Sequence, residues 1–264
     1  MTKSLLVCAL LLLLPALPDL PDLPDLSILG PVHAQHAAFR VQGRVVTERG
    51  ELVAKADVRL EAFFGYAGGT FSGPRKLSAH TNAKGEWNVG ALQPGVWLFE
   101  VIAPGYLPET VVLPIRILTT VSMGTSGMTL TWDLILKPVP APGDGQGELL
   151  QQAAAAARDG RADAVRAALQ VMPEDPHSDF LSSAGRIAMV ARDMDLARTL
   201  FLRALERDPS SYRAALGVAS MFMLQRDFDS ASRAFDATRS RTHDRDEQKF
   251  LSAAIGDLAT ITVR

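Results

Sequence analysis

RDMDLARTLF (residues 192–201) and RDFDSASRAF (residues 226–235) are one phrase written twice, 34 residues apart. The opening pair occurs once more upstream, as Arg158-Asp159, at the same interval. Each pair leads into a run with apolar residues at helical spacing; Leu196, Leu200, Phe201 and Ala204 make the clearest stripe, and Leu149, Leu150, Ala153, Ala154 and Ala157 an earlier one. A recurrence of about 34 residues is the period of stacked helix pairs, each of which buries its apolar face only against its neighbours. Residues 148–264 are therefore expected to form an α-helical repeat solenoid. A last helix should close the stack, with Phe250, Leu251, Ala254, Leu258 and Ile261 inward, because a terminal repeat otherwise exposes apolar surface. Ser178 and Ser211, each two residues past an Asp-Pro, are the expected helix N-caps.

The spacing Ala197, Phe201, Ala204, Pro209, with Gly185 in the preceding helix, resembles the tetratricopeptide repeat. The next copy keeps Ala231 and Phe235 but has Thr238 and His243 where Ala and Pro would fall. The first copy, Ala164, Ala168, Val171 and Pro176, fits with one residue added to its turn. The resemblance implies a concave groove lined by the first helix of each pair, suited to an extended or helical segment of a partner. With Leu181, Ala184, Ala188, Ala215, Val218, Ala219 and Phe222 packed inward, the groove face would carry Asp179, Ser182, Arg186 and Met189 from one repeat. The next would supply Arg213, Leu216, Ser220 and Met223. Arginine forks a carboxylate and methionine adapts its shape, so the expected partner is a protein or peptide segment with an acidic and an apolar side chain.

Upstream, residues 138–147 (PVPAPGDGQG) read as a linker, extended by proline in its first half and loosened by glycine in its second. Few contacts are expected to cross it. Before it the periodicity changes to two. Val41, Gly43 and Val45 alternate with polar neighbours, as do Val58 and Leu60, and Trp97, Phe99 and Val101 alternate with Leu98, Glu100 and Ile102. Turn signals at Arg49-Gly50, Ala83-Lys84-Gly85, Gln93-Pro94-Gly95 and Pro104-Gly105 separate about seven short strands. Residues 35–137 are expected to form an antiparallel β-sandwich. GRVVTERGELVAKADVRLEA (43–62) followed by TNAKGEWNVGALQPGVWLFEVIAPGY (81–106) resembles the carboxypeptidase regulatory-like domain, a transthyretin-like sandwich of the carbohydrate-binding-like group. Ala54 and Asn82 depart from its usual proline and aspartate, and Gly65–Pro74 lengthens one loop. That domain is an accessory module, so the resemblance carries over no catalytic residue. It does raise an alternative: Tyr66 and Phe71, in the long loop, would give an aromatic platform for an envelope glycan. Trp87, Trp97 and Trp132 are expected in the core.

Residues 1–34 have the form of an export signal: Lys3, an apolar core Leu5–Leu14 too short to span a membrane, and Val32-His33-Ala34 before a cut after Ala34. An uncleaved anchor is the alternative. Removing the leader takes Lys3 from 27 basic residues, and Asp19, Asp22 and Asp25 from 29 acidic ones, leaving 26 of each. A neutral chain does not gather phosphates, which argues against nucleic acid. Cys8 leaves with the leader, so no thiol remains for a disulfide, metal or nucleophile. The histidines His33, His36, His80, His177 and His243 form no zinc spacing. Thr125-Ser126-Gly127 lacks a nucleophile elbow, and Asp193, Asp195, Asp227 and Asp229 lack the glycine and glutamate of a calcium loop. The expectation is an exported protein of the periplasm or cell envelope, without catalytic residues, metal or cofactor and without a transmembrane helix in the mature chain. It would be an adaptor that holds a partner in its helical groove; the alternative is a carbohydrate-binding protein.

Overall fold

The computed structural model describes residues 39–65, 75–115, 129–140 and 145–243, and beyond them Arg245, Gln248, Leu251, Ser252, Ile255, Gly256 and Leu258. The expected leader, Tyr66, Phe71 and Thr125–Gly127 lie outside the described residues.

Eight strands are described: β1 (Phe39–Thr47), β2 (Asp57–Gly65), β3 (Lys76–His80), β4 (Glu86–Leu92), β5 (Gly95–Ile102), β6 (Glu109–Ile115), β7 (Thr129–Thr131) and β8 (Leu134–Leu136). One sheet runs β4-β1-β7, with β8 also paired to β1; the other runs β3-β2-β5-β6. Most pairings are antiparallel, as expected, but β7 and β8 run parallel to β1. Residues 129–136 form two short strands, with Trp132 and Asp133 between them. Trp132 N–H donates to the Gln42 carbonyl at 2.8 Å, and Asp133 accepts the Arg44 N–H at 2.9 Å together with its guanidinium. Gly43 allows this approach: a Cβ there would lie 1.8 Å from the Trp132 carbonyl oxygen.

The period-two reading holds on β2, where Val58, Leu60 and Ala62 are buried and Arg59 is exposed. On β5 it breaks down, since every residue is buried, Glu100 included. The inner face of β5 supplies Trp97, Phe99 and Val101 to the core. Its other face, with Val96, Leu98, Glu100 and Ile102, is buried too.

The helices are α1 (Gly145–Arg158), α2 (Ala162–Gln170), α3 (Ser178–Val190), α4 (Met194–Arg207), α5 (Tyr212–Leu224) and α6 (Phe228–Arg239). They pack in successive pairs, α1 on α2, α3 on α4 and α5 on α6. Beyond them Leu251 and Leu258 are helical and fully buried, in keeping with the closing helix. Phe201 of α4 is the pin of the array. A Cβ added to Gly185 on α3 would meet its ring at 2.7 Å, and one added to Gly217 on α5 at 2.4 Å. Neither helix could come so close to the ring with a larger residue there.

The turns inside the pairs correct the repeat register. Arg192 and Arg226 take left-handed backbone angles, φ 63° and 61°. The Arg192 N–H donates to Met189 O and the Asp193 N–H to Ala188 O, and the Arg226–Asp227 pair repeats both bonds. This is the Schellman end of a helix. In the first pair those positions are filled by Gly160 (φ 70°) and Arg161, not by Arg158-Asp159, which lies two residues too early. The aspartate that follows each left-handed arginine is the N-cap of the next helix: Asp193 accepts from Leu196 N–H and Asp227 from Ser230 N–H. Ser211 caps α5 as expected, accepting from Ala214 N–H. Ser178 does not cap α3: the N-cap position is His177, and the Ser178 hydroxyl donates to the Ala204 carbonyl instead.

The expectation of few contacts across residues 138–147 is also corrected. Residues His36–Arg264 form one compact unit, and a single apolar core runs from Val41 and Phe99 in the sheets to Phe201 and Phe235 in the helices. The reason lies in β6. It is an edge strand with both faces buried, and α3 and α5 lie along its open side.

Candidate functional site

Sequence reasoning placed eight residues on one helical face, and most of them do converge, on β6 of the same chain. Within the ladder to β5, Thr110, Val112 and Pro114 share a parity. The first two turn their free backbone groups to the helices: Arg186 donates to the Thr110 carbonyl at 3.1 Å, and the Val112 N–H donates to Ser220 Oγ at 3.2 Å. Pro114 falls where a missing N–H costs no ladder bond. The Thr110 hydroxyl donates to the Met189 sulfur at 3.4 Å. Glu109, at the start of the strand, is held by the Arg186 guanidinium and by Arg213 at 3.1 Å; Arg213 also reaches Glu48 at 3.3 Å. Lys137 joins Asp179 at 3.4 Å to Glu48 at 3.6 Å. Ser182, Leu216 and Met223 are buried in the same face.

The expected groove is therefore lined much as the pattern implied, but it is filled. A partner segment could enter only by displacing an edge strand whose backbone groups the helices already satisfy. The electrostatics are those of an interior. Arg186 is 3 % exposed. Burial, with Arg213 nearby, pushes its guanidinium down to about 9, so it is still charged at neutral pH and depends on Glu109. Its Nε and the hydroxyl of Ser182, one turn earlier on α3, are buried without a hydrogen-bond partner.

The open site lies beside this interface and was not singled out by the sequence reading. The helices pack on β6 and their turns reach β2 at Glu61 and Phe64, while Arg59, Lys76, Ser78 and His80 on β2 and β3 stay exposed. A cleft of about 610 Å³ results, floored by Asp57, Arg59, Glu61, Lys76, Ser78 and His80 and walled by the C-terminal ends of α1 and α3. At its inner end Arg192 forks between the carboxylates of Glu61 and Glu100. Glu100 is 5 % exposed; burial raises its carboxyl above the ordinary range, against the pull of Arg192. Arg59 holds Asp57, with His80 3.8 Å from the same carboxylate, and Lys76 stands 3.5 Å from Glu61. A buried carboxyl with a raised proton affinity, set in a cleft, makes this a candidate site. The signal available in the sequence was Glu100 itself, a charge inside an otherwise apolar strand.

Among the described residues no group of three or more His, Cys, Asp or Glu could hold a metal ion, and no helix is long and apolar enough to cross a membrane. No known family description and no curated protein matches the chain. Solved structures similar to part of it include chlorocatechol 1,2-dioxygenase from Pseudomonas putida, at 16 % identity and TM-score 0.29 over 38 % of this chain and 60 % of that one. Another is catechol 1,2-dioxygenase from Pseudomonas arvilla C-1, at 14 % identity and TM-score 0.32 over 42 % of this chain and 56 % of that one. A third is the dioxygenase domain of a dioxygenase carbohydrate-binding protein fusion from Streptomyces sp. SirexAA-E, at 16 % identity and TM-score 0.31, over 40 % and 85 %. The chain thus spans less than two thirds of the first two enzymes. These similarities correct the expectation of a protein that is not an enzyme: the structures it resembles are those of dioxygenases, and that expectation is not retained. At such TM-scores they transfer no activity, and nothing below rests on them.

Proposed function

We propose that this chain is an exported binding protein of the periplasm or cell envelope whose ligand seat is the cleft between β2–β3 and the ends of α1 and α3. In this reading the sheets are a sandwich of the carboxypeptidase regulatory-like kind, and the helices are a short tetratricopeptide-like solenoid clasped to it through β6. The single observation that carries the proposal is the cleft. Between β2–β3 and the ends of α1 and α3 lies an open cleft of about 610 Å³. Binding sites concentrate where structural layers meet in this way, typically at about 300–1,000 Å³. The filled helical groove supports the same choice, because the face expected to take a partner is committed to holding the molecule together.

The test is a plug. Ser78 is exposed on β3 and lines the cleft. Ser78→Trp places a ring over the cavity at a strand position that tolerates aromatic residues. Envelope extract passed over immobilised mature protein, and a glycan array probed with it, should each give binding that Ser78→Trp removes if the cleft is the seat. Binding that survives the plug would move the site elsewhere and end this reading.

A further inference from the structure

The charges in the cleft do not cancel, and the residue left over is Arg158. The three carboxylates are each engaged: Asp57 by Arg59, Glu61 by Lys76 and Arg192, and Glu100 by Arg192. Arg158, half-buried at the end of α1, lines the cleft with no hydrogen bond or ion pair among the described residues. Its neighbour Asp159 does not serve it, being paired with Arg161 at 3.0 Å.

A basic residue in the last turn of a helix is ordinarily explained by the helix dipole, whose negative charge sits on unsatisfied terminal carbonyls. Here two of the four terminal carbonyls of α1 have cap partners. Gly160 N–H donates to Ala157 O at 3.1 Å and Arg161 N–H to Ala156 O at 2.9 Å. At α3 the Arg192 and Asp193 N–H groups do the same for Met189 and Ala188. The cap bonds leave fewer bare carbonyls for the guanidinium to serve, and no carboxylate among the described residues pairs with it. Leu77, Ala157, Val190 and Ser78 also line the cleft. A planar fork of donors without a carboxylate of its own suits a ligand that ends in a free carboxylate.

We infer that the cleft binds a free carboxylate on Arg158, from either the C-terminus of a short peptide or a small organic acid. This rests on the cleft being the ligand seat, and the experiment separates the two claims.

Isothermal calorimetry on the mature protein would compare Ala-Leu-Ala as the free acid, the same tripeptide amidated, and glutarate. The free-acid peptide should bind at least about tenfold more tightly than the amide, the lower end of what a charge-assisted hydrogen bond contributes. Arg158→Gln should reduce binding of the acid about tenfold or more and erase the difference between acid and amide. Arg161→Gln removes an equal charge outside the cleft and should change nothing. Ser78→Trp should abolish all of it. Glutarate binding that depends on Arg158, with peptide acid no better than amide, assigns the carboxylate to a small acid. Equal binding of acid and amide without Arg158-dependent binding of glutarate, binding indifferent to Arg158→Gln in a variant whose ellipticity shows it folded, or no binding by any of the three probes overturns the inference. If envelope ligands are still lost on Ser78→Trp in that case, the cleft stands as the seat and only its carboxylate chemistry falls.

Discussion

Replacing Glu109 with Gln should separate the helices from the sheet in energy without removing an atom of bulk. Glu109 is the counter-ion of Arg186, a guanidinium 3 % exposed and charged at neutral pH because burial pushes it down only to about 9. After Glu109→Gln the guanidinium keeps two neutral acceptors, the Thr110 carbonyl at 3.1 Å and the Arg213 carbonyl at 3.3 Å. Breaking a buried pair by removing one partner costs about 3–5 kcal/mol. The glutamate side chain is 15 % exposed, so some solvent reaches the site and the lower end, about 3 kcal/mol, is expected. The molecule carries its own two reporters. Trp87, Trp97 and Trp132 all precede the helices, so fluorescence follows the sheets while ellipticity at 222 nm follows the helices. In urea the two curves should coincide for the parent protein, as one continuous core requires. Glu109→Gln should lower both midpoints, the helical one first. Adding Arg186→Met removes the stranded charge and should restore part of the loss, since the Thr110 and Arg213 carbonyls then lose their donor. A Glu109→Gln variant within about 0.5 kcal/mol of the parent, or a double variant no better than the single, would refute the account of the interface.

Three further outcomes can be checked. Alanine normally gains about 1 kcal/mol over glycine inside a helix, but Gly217→Ala should lose about 1–3 kcal/mol in thermal unfolding through its contact with Phe201; Phe201→Leu in the same chain should make the alanine tolerable. Burial holds the Glu100 proton more tightly in the folded than in the unfolded chain, so its contribution to stability is lost as pH rises from the ordinary carboxylate value of 4.5 through its raised folded value. Glu100→Gln should abolish that loss, and urea midpoints across that window should turn in favour of the variant as pH rises. Expressed with residues 1–34 in place, the chain should give an intact mass that corresponds to a start at Gln35; a mass that retains the leader would refute cleavage after Ala34.

Local physics was legible in the sequence wherever a residue's role is decided by its near neighbours. Phe201 and Gly185 stood out by spacing and meet in the structure, Ser211 caps its helix, and the alternation of Val58 and Leu60 marks the inner face of β2. What escaped was contact between distant elements. Nothing local tells whether Arg186 faces solvent or Thr110, 76 residues away, so a face built to hold β6 read as a face built to hold a partner. The same blindness hid the cleft, whose walls come from β2, β3, β5, α1 and α3. The repeated Arg-Asp pair misled in a subtler way. Its first copy has the right letters, but the chain turns left-handed at Gly160 instead, because glycine takes that angle without strain.

Arginine in that left-handed position carries a backbone cost that glycine would avoid, and both later turns use the side chain to reach the sheet. Arg192 lands on Glu61, and Arg226 lies 4.5 Å above the ring of Phe64, three residues farther along β2. Three strand residues span roughly 10 Å, and packed helices stand about 8–10 Å apart. The two rulers are therefore nearly commensurate, and successive repeats engage the strand like teeth on a rack. Phase follows from this: the array cannot slip along the sheet by half a repeat without lifting both arginines at once. One residue inserted in β2 between Glu61 and Phe64 would put the second tooth out of step while leaving every helix intact.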